Sequence, residues 1–200
     1  DRGEFLITTL PVTDLGAAPP TGTLVLPHLV DGGGWTTQVL LVNPTDDVLT
    51  GNVQFRGPSG QMGDSFQYTI SPRNSGKVQT SDPGRPAIGG SVRIIPAGNI
   101  APSALAVFSF RNGSGITVTE AGVPAVAVGN AFRIYGETSA AISPNAVGSV
   151  QTGLAIVNGS ANAGAVTIEA NRLDGSATGL TGTLNISSNG HTALYLNQIP

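Results

Sequence analysis

No stretch of this chain repeats its apolar residues at a helical period. Val, Ile, Leu and Thr recur instead in short runs, cut by Gly, Pro and Asn at intervals of roughly 8–12 residues. A chain so punctuated has few choices. Each run is long enough for one strand and too short for a stable helix, so the expected fold class is all-β, a sandwich or barrel of antiparallel strands. The 28 Gly and 14 Pro supply the turns.

The same order of runs occurs twice. Residues 36–47 read TTQVLLVNPTDD and residues 151–162 read QTGLAIVNGSAN. Each leads through apolar residues into Val-Asn, at Val42-Asn43 and Val157-Asn158, and then into a turn. Gly51 to Phe55 aligns with Gly164 to Ile168, and the turns Ser59-Gly60 and Asp174-Gly175 follow. YTISPRNSGKVQTSDP (68–83) then resembles LNISSNGHTALYLNQIP (184–200). A duplicated Ig-like β-sandwich is expected, with a first domain over 20–128 and a second over 129–200. Beyond Pro83 the first copy goes on to expected strands at Ser91–Ile95, Ala104–Phe110 and Ile116–Thr119. The second copy stops at the equivalent point, about three strands short.

Residues 1–19 form a separate segment. DRGEFLITTLPV resembles NGSGITVTEAGVPAV at 112–126, as if it were the last strand of a sandwich. Three readings follow. The strand of one copy completes the second domain of the next by β-augmentation. Alternatively, it is the end of a preceding domain in a longer array, or it pairs within its own chain. In the first reading Phe5, Leu6, Ile7, Thr8, Leu10 and Val12 form the assembly strand, with Phe5, Ile7 and Leu10 entering apolar pockets. Such a head-to-tail contact does not close on itself and gives a fibre.

The stretch LPHLVDGGGWTTQVLLVNPTDDVLTGNVQF (26–55), preceded by RGEFLITTLPV, resembles repeats in large secreted proteins of environmental bacteria. The resemblance implies a tandem extracellular β-sandwich protein and carries no enzyme activity or site residues. In that family a segment like RGEFLITTLPV closes one sandwich and a segment like PHLVDGGGWTTQ opens the next.

Composition narrows function further. Only 10% of residues are charged, the net charge is −3, and the nine Lys and Arg are scattered. No basic patch for nucleic acid results. No run of 18 apolar residues suits a membrane helix, so membrane insertion is not expected. With no Cys there is no disulfide and no thiolate chemistry. A chain opening at Asp1 rather than Met is expected of a processed protein or a piece of a longer one. Low charge with abundant Thr, Ser, Asn and Gly fits a cell-surface or extracellular location.

The candidate chemical groups read as structure. His28 and Asp31 lie in PHLVDGGGW, but the chain has one other histidine, His191, and a zinc site needs three or four ligands. Gly32-Gly33-Gly34 precedes a β run, whereas phosphate loops precede a helix. Asp46-Asp47 reads as a turn more than a calcium loop, and the second copy has Ala161-Asn162 there. The acids Asp14, Asp64, Asp82 and Asp174 fall at turns, while Glu120 and Glu169 read as solvent-facing strand residues. No GxSxG elbow occurs. The expectation is no enzyme, no cofactor and no metal. Asn112, Asn158 and Asn185 begin N-x-Ser sequons of incidental character. The expected partners are copies of the chain itself. The rival reading is a glycan-binding or adhesive module, for which Trp35, Tyr68, Tyr135, Tyr195 or the six Phe would need to form an exposed row.

Overall fold

A computed structural model describes residues 13–81, 84–138 and 150–200. The expected assembly strand, Phe5, Leu6, Ile7, Thr8, Leu10 and Val12, lies outside the described residues, as does Asp82. The regular structure of the rest is β-strand, with one short 3-10 turn at Leu196–Gln198. Among the described residues no helix is long and apolar enough to cross a membrane.

Eight strands make two four-stranded antiparallel sheets. In chain order they are β1 (Leu24–Asp31), β2 (Trp35–Val42), β3 (Leu49–Arg56), β4 (Met62–Ile70), β5 (Ser75–Gln79), β6 (Ile88–Pro96), β7 (Ser103–Arg111) and β8 (Thr117–Pro124). One sheet runs β1-β6-β3-β4 and the other β5-β2-β7-β8. Alternation dictates the packing. Thr37, Val39 and Leu41 of β2 are buried, as are Val53 and Phe55 of β3 and Val92 and Ile94 of β6. Strands place alternate side chains on opposite faces, so these residues meet between the two sheets and form the core. Thr37 is a polar exception that is satisfied. Its hydroxyl donates to the Val30 carbonyl at 2.8 Å and accepts from the Val30 N–H at 3.1 Å.

The triglycine is the β1–β2 turn. Gly32, Gly33 and Gly34 have φ of 90°, 61° and 92°, a region that side chains with a Cβ rarely enter. A Cβ on Gly32 would also lie 2.7 Å from the Arg85 and Pro86 carbonyls. Trp35 follows and packs on Phe108 and Phe110, with ring centroids 5.8 and 5.1 Å away. After β8 the chain changes partner. The Ala125 N–H still bonds the Ala104 carbonyl of β7, but Val126 exchanges two backbone bonds with Val25 of β1, at 3.3 and 2.8 Å. That switch ties the two sheets together along one side.

Four more strands follow: β9 (Gly153–Val157), β10 (Gly164–Asn171), β11 (Ala177–Ile186) and β12 (His191–Tyr195). Among the described residues they form two ribbons, β9 with β12 and β10 with β11. Among the described residues, the buried apolar side chains belong to the first eight strands, except Ala101 and Pro102 just before β7 and one outlier, Ile186 of β11.

Candidate assembly site

The second set of strands repeats the corner geometry of the first. In the first, Asn43 is fully buried, and its side-chain N–H group donates to the carbonyls of Asp47, Ile70 and Ser71 at 2.7–3.1 Å. Its side-chain oxygen accepts from the Thr45 N–H at 2.9 Å. These bonds tie the β2–β3 crossing to the β4–β5 crossing, two of the five places where the chain passes between the sheets. Asn158 does the same, donating to Asn162, Ile186 and Ser187 at 2.8–3.3 Å and accepting from the Ser160 N–H at 2.9 Å. Arg73 and Asn189, in the paired turns, both have φ of 55°. The buried amide is what the Val-Asn pattern encodes. Its donors are committed, so the sequon at Asn158 has no free nitrogen for a glycan.

Strand register refines the alignment of the two copies. Leu49 pairs with Ile70, and Gly164 pairs with Ile186. Leu49 is therefore the structural equivalent of Gly164, and Val53 of Ile168. The alignment of Gly51 with Gly164 expected from sequence is displaced by two residues. A shift of two leaves every side chain on its own face, so alternation cannot detect it. Packing can. A Cβ on Gly51 would meet the Tyr68 ring and the Ile95 carbonyl, while the equivalent position holds Val166 opposite Leu184.

The ribbons differ from the first unit in their edges. β3 is bonded on one side by β4 and on the other by β6, and β2 is bonded by β5 and β7. Among the described residues, β10 is paired only with β11, and β9 only with β12. The β6 and β7 positions are thus unfilled by any described strand. Their inner side chains are correspondingly uncovered: Val166, Ile168 and Leu184 are only half-buried, and Leu180 is 70% exposed. A shallow pocket lies beside this ribbon, lined by Ala163, Gly164, Ala165, Asn185, Ile186 and Ser187.

Where the second unit meets the first, the two histidines come together. Nδ1 of His28 and Nε2 of His191 lie 3.1 Å apart, with the rings stacked at 5.3 Å between centroids. Phe108 presents its ring edge-on to His28 at 5.1 Å. The His191 N–H donates to the Pro58 carbonyl at 2.8 Å. Burial lowers the pKa of His28, and burial together with the neighbouring His28 lowers that of His191 to about 4. Sequence reasoning placed these residues in separate copies and saw no link. The signal was faint: His191 stands where the first copy has exposed Ser75, one polar residue for another at the start of a strand.

The other candidates resolve into local structure. Asp31 contacts Arg85 at 3.2 Å. Asp46 is clamped by Arg73 at 2.7 and 2.9 Å, and that hydrogen bond, with the guanidinium charge, holds its pKa below the usual carboxylate range. Among the described residues no three His, Asp or Glu converge on a metal position. Glu120 accepts from the Ser109 hydroxyl at 2.7 Å, and Asn112 caps the β7–β8 turn through the Ser114 and Ile116 N–H groups. Phe55 and Tyr68 are buried, whereas Phe132, Tyr135 and Tyr195 are exposed. Comparison with family models, with curated proteins and with solved structures finds no match to this chain.

Proposed function

We propose that this chain is a structural subunit or repeat of an extracellular bacterial filament or surface array. Its two units are tandem Ig-like sandwiches, the second an incomplete copy of the first. Assembly is head-to-tail: the strand containing Phe5, Leu6, Ile7, Thr8, Leu10 and Val12 adds to the second unit of a neighbouring copy. One observation carries this reading. β9 and β10 lack, among the described residues, the partners that β7 and β6 give their counterparts β2 and β3. An open strand edge over a half-buried apolar face is a template for another strand.

Electron microscopy of the full chain, with and without residues 1–13, tests the proposal. Filaments from the full chain and monomers from the truncated one are expected. Monomers in both cases, or filaments in both, overturn donation by this strand.

The adhesive reading draws on the exposed aromatics. Phe132 and Tyr135 sit on a segment without strand structure, and Tyr195 ends β12. Saturable binding of a soluble polysaccharide, lost in Tyr135→Ala, would favour that function over assembly.

A further inference from the structure

The contact between the units has a chemistry that its surroundings do not share. Two imidazoles share a hydrogen bond across it, and they stand 163 residues apart in sequence. The turn between β3 and β4 lies against the turn between β11 and β12, so closely that a Cβ on Gly60 would run into the Ser188 carbonyl. We propose that the His28–His191 pair is an acid-sensitive latch that holds the second unit against the first when both rings are neutral and releases it when they charge.

The proton inventory gives the mechanism. In the neutral pair one facing nitrogen carries the hydrogen and the other accepts it. A first added proton can sit on an outer nitrogen and leave the shared bond intact, but it puts a cation into a buried seam. A second proton occupies the accepting nitrogen, so two N–H groups face each other at the observed 3.1 Å and the bond is lost. The two rings therefore titrate as a coupled pair.

Among the described residues, no carboxylate offsets the charge on either ring. β1 carries Asp31, which is paired with Arg85. β6 carries Arg93, β7 carries Arg111, and β8 carries Glu120, which is bonded to Ser109. β9 has no charged residue, and neither does the turn over 57–61, which Arg56 precedes. Burial and the opposite ring are the only causes of the shifts, and no carboxylate contributes.

The sign follows from these depressed values. The opened seam binds protons more readily than the closed one, so closure is favoured fully above pH about 6.5 and is lost as pH falls. For His191, with a pKa lowered from 6.5 to about 4, the opening equilibrium rises roughly 100-fold between pH 7 and pH 4. His28 adds in the same direction.

The test is amide exchange of the full chain followed by NMR, corrected for the intrinsic pH dependence of exchange. The probe is the His191 N–H that bonds Pro58, with Val53 in the core as control. Protection at His191 should fall at least tens of times more than at Val53 between pH 7 and pH 4. The fall should vanish in both His191→Gln and His28→Gln, either of which suffices if the other misfolds. Equal loss at His191 and Val53, an unchanged His191, or the same fall in a folded Gln variant overturns the latch. So does a His191 ring that titrates near 6.5 in the native chain.

Discussion

Asn43 and Asn158 make the same bonds, yet Asn43 is fully buried and Asn158 only half-buried. The corner is common to both units; what lies behind it is not. In the first unit the corner closes over eight strands and a continuous core. In the second it joins two ribbons whose inner side chains remain partly in water. Local hydrogen bonds thus shape the crossing in either setting, while burial depends on the strands that pack beyond it.

Core truncation should separate the units most. Ile94→Ala, at a fully buried site, is expected to cost about 2–5 kcal/mol in denaturant unfolding. Ile168→Ala, at the half-buried equivalent of Val53, should cost under about 1 kcal/mol in the unassembled chain. If assembly covers that face, the Ile168 cost should grow in filaments, and a constant cost would count against strand addition there.

The corner itself gives the next effect. Asn43→Ala leaves three carbonyls without their donor in a buried site and is expected to cost about 2–4 kcal/mol. For Asn158→Ala water can replace the lost donor, so about 1 kcal/mol is expected. Equal costs would show that the second corner is as dry as the first.

A smaller effect belongs to the seam. Gly60 has φ of 85°, and its Cβ would strike Ser188, so Gly60→Ala should cost about 1–2 kcal/mol. It should speed exchange at His191 while leaving Val53 protected. The smallest effect is expected from Asp46→Ala. The Asp46–Arg73 pair is exposed, and the second unit makes its corner with Ala161 and Asn189 at those places, so the melting temperature should not move measurably.

Much of this was legible in the sequence. Strand alternation and turn residues announced the all-β class, and the expected strand at Ala104–Phe110 falls within β7 (Ser103–Arg111). The Val-Asn pattern marked the corner, though not that its amide binds both crossings, because a buried asparagine and a turn asparagine look alike in one sequence. The two-residue slip between copies was hidden by the period of the strand itself. The His28–His191 contact was hidden for another reason: it depends on how the second unit sits against the first, which no local pattern encodes.

The Val25–Val126 bridge has a mechanical consequence. β1 enters and the segment after β8 leaves as antiparallel neighbours, so the incoming and outgoing chain depart from the same end of that bridge. Tension applied along the polypeptide would peel these bonds in turn instead of loading them all at once. Under stretch the bridge would part bond by bond, lengthening the chain in a small step while the strands behind it still hold.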